Sequence, residues 1–405
     1  MALGDVYDPL GTHLDDPFSF YARAREAEPL FYSPAIDAWV VTRLDDVRKV
    51  LRDGKTYSSA NALKPFRPFN DEVLAELAKG YPPRAMFITM DGEEHRRLRT
   101  PATAGLSAER VAAAEPFITE RATALLPELS GERVDFMAAY ANRLPVDVIC
   151  HLVGFPLSES QALGDDSRAA ASLSMGHRFK RPGEELDAAR AWVRFQRQIA
   201  RQINEHRREP RDDIIGDLLK AYAPGDGPLT PTQEADLVGL VFSVALPGHI
   251  TTSALLGNGL LRLLNTGQWK LLCERPDLAP NAVEEILRYD SPTHVFLRVT
   301  TRETTLAGHT LPPGTELAVW LVNRDETAPS HPNDFDITRP VQPGHIAFGH
   351  GAHFCPGAAL ARRQAEISLR LISQRYPSLR LTPGQQIQYR PSLDHHGPDT
   401  LLIDT

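Results

Sequence analysis

The sequence has few cysteines, and its basic residues are outnumbered by acidic ones. Only three cysteines, Cys150, Cys273 and Cys355, occur in 405 residues, and such an odd, sparse set does not form a disulfide framework. A reducing cytoplasm is therefore the expected location. The formal net charge of −8 argues against a nucleic-acid-binding protein, because such proteins favour a basic surface.

Long apolar runs are absent as well. No stretch of about 18 or more consecutive apolar residues occurs, so no membrane-spanning segment is expected. Met1 to Phe18 is acidic and polar, without a basic segment followed by an apolar one, so no signal peptide is expected. With 42% hydrophobic and 24% charged residues, the chain has an ordinary globular composition. A monomer that binds neither nucleic acid nor membrane is the simplest expectation.

Helical patterns dominate what is present. The longest, Pro231 to Leu264, is largely apolar and interrupted at Pro247, and a proline there predicts a kink around Ser243 and Val244. The other predicted helices are Asp45–Asp53, Gly92–Arg99, Ser107–Leu126, Asp135–Val153, Glu184–Arg208, Pro280–Tyr289 and Ala358–Gln374. Strands are predicted at Ile36–Val41 and within residues 295–320 and 379–403. The fold class is therefore mainly α with a minor sheet component.

The most informative segment is Phe348 to Gly357, with the sequence Phe-Gly-His-Gly-Ala-His-Phe-Cys-Pro-Gly. Its glycines permit positive φ and close backbone approach. The helix predicted from Ala358 points its N-terminal amides at the Cys355 sulfur, which favours a metal-ligating thiolate. A buried structural cysteine is the commoner meaning of an isolated Cys. A zinc site built from His350, His353 and Cys355 lacks a partner cysteine pair at the usual distance.

These ten residues resemble the heme-binding signature of the cytochrome P450 family, Phe-Gly-x-Gly-x-His-x-Cys-x-Gly. The resemblance spans nearly the whole chain and is to the soluble, actinobacterial type. It implies one P450 domain over residues 1–405, with β-rich portions near 30–60, 295–320 and 379–403. Heme b would lie between the long central helix and the helix after the cysteine loop. Cys355 would be the axial iron ligand, and a thiolate there favours O–O cleavage.

The resemblance also implies further cofactor-binding and supporting residues. Phe348 and Gly349 would contact the heme, and the propionate-binding positions are occupied by His95, Arg99, Arg298 and His353. Glu285 and Arg288 share one helix face and would join Arg339 in a buried structural network. Taken singly, each of these residues is more often an ordinary surface charge.

The central helix departs from the family pattern around Gly248, His249 and Thr251. Gly248 would leave room beside the heme, and Thr251 would hold water near the iron. The family usually has an acid directly before this threonine, but Ile250 stands there. Protons must then arrive by another route, and water held by Thr251 and His249 is one such route. The substrate itself could supply a polar group instead.

The substrate-contacting regions of the family map onto scattered residues of this chain. The candidates are Phe66, Met86, Val244, Ala245, His294, Val295, Phe296 and His395. Together with Asp394 and His396, the histidines predict a polar, natural-product-sized substrate of secondary metabolism. No flavin or nicotinamide fingerprint occurs, so electrons would come from NAD(P)H through ferredoxin reductase and ferredoxin.

The expected function is insertion of one oxygen atom of O2 into a small molecule, by hydroxylation or epoxidation. Because Ile250 replaces the acid, an atypical P450 performing oxidative coupling, nitration or peroxide-driven oxidation is an alternative. A non-catalytic heme sensor with His249 as a second axial ligand is a further alternative.

Overall fold

The computed structural model of the chain describes residues 2–65, 67–174, 179, 181–225, 227–327, 330–340 and 344–405. The substrate candidate Phe66 therefore lies outside the described residues. Helices dominate this part of the chain and the β-structure is minor, so the mainly α expectation is confirmed.

The α-helices follow one another along most of the chain. In chain order they are α1 (Leu3–Val6), α2 (Phe18–Ala27), α3 (Leu44–Arg52), α4 (Asp71–Leu77), α5 (Gly92–Ala104), α6 (Ala108–Leu125), α7 (Leu144–Val153), α8 (Ser160–Ala171), α9 (Glu184–Arg208), α10 (Ile214–Tyr222), α11 (Pro231–Ala245), α12 (Pro247–Asn265), α13 (Gln268–Glu274), α14 (Ala279–Tyr289), α15 (Arg324–Thr327) and α16 (Ala358–Arg375). Short 3₁₀ helices occur at Phe87–Thr89, Leu126–Leu129, Leu157–Glu159, Pro276–Leu278 and Gly351–His353.

The strands form three small sheets. They are β1 (Leu30–Ser33), β2 (Ala38–Val41), β3 (Tyr57–Ser58), β4 (Val134–Asp135), β5 (Val295–Thr300), β6 (Thr304–Leu306), β7 (His309–Leu311), β8 (Glu316–Trp320), β9 (Arg380–Leu381) and β10 (Leu402–Asp404). The largest sheet has the order β1-β2-β8-β5-β3, and only its β2–β8 pair is parallel. In its antiparallel β5–β8 pair, Phe296 lies opposite Val319 and Arg298 opposite Leu317. This register places an aromatic ring and a guanidinium on the same face of β5.

Most predicted elements are confirmed, and two are wrong. The long helix predicted at Glu184–Arg208 has those bounds. The predicted helix over Asp135–Val153 instead begins as strand β4, continues as a π-helix at Met137–Ala141 and becomes α-helical only at Leu144. The predicted C-terminal strands are reduced to β9 and β10, with irregular chain between them.

The long apolar segment is divided at Leu246. Helix α11 begins with a capping box formed by Thr230 and Gln233 and ends at Ala245. Pro247 is the first residue of α12, a position where its missing amide hydrogen does least harm. The break therefore lies beyond the kink predicted at Ser243 and Val244.

Among the described residues, one segment is apolar and long enough to cross a membrane by length and composition alone, Pro231–Asn265. However, 72% of its most apolar window is buried within the protein, as in a helix that forms part of a core. The segment is not an unbroken apolar run, which is what the sequence prediction required. It qualifies through its mean hydropathy.

The chain divides into two compact units. The first comprises residues 1–58, 116–144 and 251–405, and the second comprises residues 59–115 and 145–250. All strands of the described chain belong to the first unit. Its core includes a fully buried Trp320, whose ring lies 3.9 Å from that of Tyr21. In the helical second unit, Trp192 packs 4.4 Å from the ring of Phe242.

Asp213 joins two elements of the second unit. Its Oδ1 caps α10 by accepting from Gly216 N at 2.9 Å, and its Oδ2 lies 2.9 Å from Nε2 of the buried His206 on α9. We expect Asp213→Ala to lower the free energy of unfolding by about 3 kcal/mol, because it removes a cap and leaves a buried ring nitrogen unpaired. The control Asn70→Ala removes only the cap of α4, which accepts from Val73 N, and should cost about 1 kcal/mol. Equal losses in urea unfolding would contradict this account of Asp213.

Candidate active site

The cysteine loop closes on itself through backbone hydrogen bonds. Cys355 N donates to Phe348 O at 2.8 Å, Gly349 N to Ile346 O at 2.7 Å and Phe354 N to Gly351 O at 3.1 Å. The loop ends at Gly357, after which α16 begins. A Cβ added at Gly357 would stand 3.9 Å from the Cys355 sulfur, at ordinary contact distance. Cys355 is partly exposed as a residue, in contrast with the fully buried Cys150.

Two glycines allow this loop to form. Gly349 and Gly351 have φ of +76° and +75°, a region that L side chains rarely adopt. A Cβ on Gly351 would lie 2.5 Å from the carbonyl oxygen of Leu51 at the end of α3. A Cβ on Gly349 would lie 2.9 Å from the ring of Phe296 on β5. The loop is therefore fitted against α3 on one side and the sheet on the other.

The four predicted propionate-binding residues are divided between the two units. In the first unit, Arg298 on β5 is only 4% exposed, and its guanidinium carbon lies 5.8 Å from the centre of the Phe296 ring. His353 closes the 3₁₀ turn before the cysteine. In the second unit, the buried His95 lies one turn before the partly exposed Arg99 on α5.

This donor set fits heme. The Arg298 guanidinium donates to the neighbouring Leu297 O at 2.7 Å, and a guanidinium has further donors that can bind a propionate carboxylate. A cysteine at the end of a glycine-rich loop that precedes a helix suits an axial iron ligand.

The predicted structural network is assembled in the first unit. Glu285 and Arg288 form a two-point ion pair at 2.7 and 2.8 Å, and both side chains are almost fully buried. Arg339 Nε approaches Glu285 Oε1 at 3.5 Å. Arg288 also donates to the carbonyl oxygens of Arg324, Pro332 and Asp334. The pair therefore holds irregular chain in place and is not a surface ion pair.

Gly248 packs closely against α7. A Cβ at this position would lie 2.7 Å from the Ile149 side chain. The small residue thus permits this close packing, and its predicted place beside the heme stays a prediction.

His249 is fully buried and engaged at both ring nitrogens within the second unit. Nδ1 lies 3.1 Å from Ala245 O, and Nε2 lies 2.8 Å from Ser167 Oγ on α8. Because a carbonyl can only accept, Nδ1 carries the proton and Nε2 accepts from the serine. Burial, aided by Arg168, lowers the pKa of His249 to about 3, so the ring is neutral. This geometry argues against the predicted part of His249 in proton delivery, because no ring nitrogen is left for a water chain.

His294 belongs to a buried cluster around Asp290 that no sequence pattern indicated. Its ring stacks on that of His396 at 4.6 Å, and His396 Nδ1 lies 3.1 Å from Asp290 Oδ1. Arg262 Nε donates to the other carboxylate oxygen at 2.6 Å. Burial alone would raise the pKa of Asp290, but Arg262 and His396 lower it well below its usual range. His294 and His396 therefore stabilise the core of the first unit, which removes much of the basis for predicting a polar pocket from them.

By distance alone, this cluster could hold a metal ion. Ligand atoms of Asp290, His294 and His396 all lie within 4.8 Å of one another. However, the Arg262 cation already occupies one carboxylate oxygen, and the two imidazole rings are stacked only 19° from parallel rather than converging. We therefore assign the cluster as a buried ion pair supported by stacked rings.

The remaining substrate candidates have varied surroundings. Met86 is 5% exposed and precedes the 3₁₀ turn at Phe87–Thr89, while Val244 and Ala245 are buried in the last turn of α11. Val295 is buried at the start of β5. His395 keeps part of its ring exposed, with Nδ1 2.5 Å from Oδ2 of the buried Asp394. Burial would lower the pKa of His395, but the Asp394 carboxylate raises it overall.

Sequence reasoning missed a second carboxylate beside the structural network. Glu284 precedes Glu285 on α14, but it contacts His345 and Arg362, which flank the cysteine loop in the sequence. The consecutive pair of acids was the only available signal, and the sequence interpretation used only the second of them.

Comparison with known proteins decides the family. The family model for cytochrome P450 matches residues 272–394. The chain is 34% identical to cytochrome P450 107B1 of Saccharopolyspora erythraea over 100% of this chain and 99% of that protein. The chain belongs to the cytochrome P450 family. It is also 34% identical to vitamin D(3) 25-hydroxylase of Pseudonocardia autotrophica, with 94% of this P450 and 92% of the relative covered.

Solved structures agree on the fold. The structure of cytochrome P450 CREJ in complex with (4-ethylphenyl) dihydrogen phosphate matches with a TM-score of 0.90 and 26% identity, covering 100% of both chains. This protein therefore has the P450 fold, binds heme b and is a P450 monooxygenase.

Gly351 offers a test of the loop geometry. We expect Gly351→Ala to reduce heme retention and to destabilise the protein by about 3 kcal/mol, because an unfavourable φ is combined with a clash against the Leu51 backbone. Gly384 has a similar φ of +74° but nothing within 4 Å of an added Cβ, so Gly384→Ala should cost about 1 kcal/mol. Heme content and thermal unfolding would be compared, and similar values for the two variants would show that the contact with α3 is unimportant.

Proposed function

We propose that this P450 inserts one oxygen atom of O2 into a small natural-product-like substrate, with Cys355 as the axial ligand of the heme iron. The closed loop around Cys355 is the observation that carries the proposal. When bound, heme b supplies oxygen activation at its iron. The chain's own residues hold the cofactor, orient the substrate and deliver protons.

The loop is suited to holding a thiolate. The backbone bond from Cys355 N to Phe348 O holds the backbone that carries the side chain, and the N-terminal end of α16 favours negative charge on the sulfur. We further propose that Arg298, His353, His95 and Arg99 bind the propionates, with Phe348 and Gly349 against the heme. Arg298 is only 4% exposed, and a carboxylate that met its guanidinium there would form charge-assisted hydrogen bonds.

We propose that Thr251 holds the water that delivers protons. It lies in the first two turns of α12 and is partly exposed. Since His249 is neutral and bonded to Ser167 and Ala245, the route would involve Thr251 with ordered water or with a polar group of the substrate. The same contacts oppose the sensor alternative, because a second axial ligand would have to break both of them. Oxidative coupling, nitration and peroxide-driven oxidation remain alternatives, because Ile250 stands where the family usually has an acid.

Because His294 and His396 belong to the buried cluster around Asp290, the proposal of a polar substrate depends on His395 and Asp394. Asp394 accepts from Ser392 Oγ at 2.6 Å, and its Oδ2 pairs with Nδ1 of His395 at 2.5 Å. We propose that the partly exposed edge of His395 binds an accepting group on the substrate, such as a carbonyl or an anion. The phosphorylated compound named for the CREJ structure shows that a P450 of this fold accommodates an anionic ligand.

We propose a ferredoxin, reduced by NAD(P)H through a reductase, as the electron donor in the cytoplasm. Phe354, directly before the cysteine, is 45% exposed. Arg52 contacts His350 of the same loop, and Arg48 lies one turn earlier on α3. These basic groups would steer an acidic partner toward the cysteine side of the first unit.

The carbon monoxide difference spectrum of the reduced protein tests the axial ligand. We expect the wild type to show the band typical of thiolate ligation and Cys355→Ser to lose it. Cys273→Ser is the control, because Cys273 lies on α13 outside the loop, and it should retain the wild-type band. A wild type without the thiolate band would refute Cys355 as the ligand.

Ile250 separates ordinary from atypical chemistry. If ordinary monooxygenation proceeds through Thr251, NADH consumption should be tightly coupled to product in the wild type, and Thr251→Ala should release at least about tenfold more hydrogen peroxide. Heavy peroxide leakage from the wild type, repaired by Ile250→Glu, would instead show that the native route delivers protons poorly and would favour the atypical alternative.

A further inference from the structure

Glu284 and Glu285 are adjacent on α14 but serve different partners. Successive residues of a helix point about 100° apart, so Glu285 meets Arg288 and Arg339 while Glu284 meets His345 and Arg362. The second group is not part of the structural network around Glu285. All of its members lie in the first unit.

Glu284 forms a two-point ion pair with Arg362 on the second turn of α16. Arg362 Nε donates to Oε1 at 2.5 Å, and Nη2 donates to Oε2 at 3.1 Å. His345 Nε2 also lies 3.1 Å from Oε2. Burial would raise the pKa of Glu284, but the contacts with His345 and Arg362 lower it to about 2. The carboxylate is therefore ionised over the whole physiological range.

His345 carries the contact to the backbone ahead of the cysteine. Its Nδ1 accepts from Ala347 N at 3.3 Å. Because Nδ1 accepts, the neutral ring carries its proton on Nε2 and donates it to Glu284. The imidazole thus connects the carboxylate to the residue directly before Phe348.

Arg362 carries the contact to the Phe348 side chain. Its guanidinium carbon lies 4.5 Å from the centre of the Phe348 ring, within the range of a favourable cation–π interaction. The carbonyl of Phe348 accepts the Cys355 amide. One carboxylate on α14 is therefore linked both to the chain entering the loop and to the helix leaving it.

We infer that Glu284, His345 and Arg362 form a clamp that positions Cys355, through Phe348, for stable ligation of the heme iron. The inference rests on the proposed role of Cys355 as the ligand. The members of the clamp are positioning residues, since they act on the sulfur through the loop backbone. The clamp would slow the loss of thiolate ligation when the loop fluctuates.

The test compares Glu284→Gln with the control Glu366→Gln. Glu366 lies on α16 and pairs with Arg363 at 3.0 Å, with 17% of its side chain exposed against 22% for Glu284. Each substitution removes one carboxylate charge that pairs with an arginine of α16, and the partners of Glu284 contact Ala347 and Phe348 at the start of the loop. In holoenzyme reduced under carbon monoxide, the thiolate-type band would be followed over time in mild urea, and the reduction potential would be measured in plain buffer.

We expect Glu284→Gln to lose the thiolate-type band about tenfold faster than the wild type, since charge-assisted contacts are removed. Its reduction potential should rise, because the Arg362 cation is left uncompensated. Glu366→Gln should match the wild type in rate of band loss. Equal rates for the two variants would overturn the clamp.

Arg362→Lys provides a second, independent variant should Glu284→Gln fail to fold. Lysine keeps the charge but loses the planar two-point contact and the stacking on Phe348. We expect fast band loss with a smaller change in potential than in Glu284→Gln. Band loss at the wild-type rate would show that charge alone matters and would refute positioning. Absence of the thiolate-type band in the wild type would instead refute the proposed ligand.

Discussion

The backbone hydrogen bond from Cys355 N to Phe348 O constrains the region on which the activity depends. It closes a loop in which Gly349 and Gly351 adopt positive φ. Three surrounding elements support this loop. Helix α3 contacts Gly351, Phe296 of β5 contacts Gly349, and the clamp holds Phe348. The backbone that carries Cys355 is thus held from several sides.

A division of roles between two adjacent carboxylates follows from the geometry of α14. Glu285 is almost fully buried and organises irregular chain through Arg288, whereas Glu284 is partly exposed and ties that helix to the cysteine loop. Neither carboxylate has to contact the cofactor to matter for it. Buried pairs of this kind are strongly destabilising to break, because removing one partner leaves an uncompensated charge.

Local patterns predicted the fold and the cysteine loop well, and long-range contacts were not predictable from them. Helix α9 repeats its apolar residues at helical spacing over 25 residues, so its bounds could be predicted. The segment from Asp135 to Val153 is more apolar than α9, but it begins as a strand and continues as a π-helix, and periodicity does not reveal such changes. Similarly, the sequence shows that His249 and His294 stand near important positions. It does not show that Ser167 contacts the ring of His249 or that His396 stacks on the ring of His294, because those partners are distant in the chain.

Each of the two units contains tryptophan and therefore has its own intrinsic fluorescence. Of the four tryptophans in the sequence, only Trp192 belongs to the helical second unit, where it packs on Phe242. Trp39, Trp269 and the fully buried Trp320 belong to the first unit. Intrinsic fluorescence of a protein carrying Trp192→Phe would therefore come from the first unit alone. The difference from the native emission would isolate the signal of the helical unit, so the two units could be followed separately during unfolding or cofactor loss.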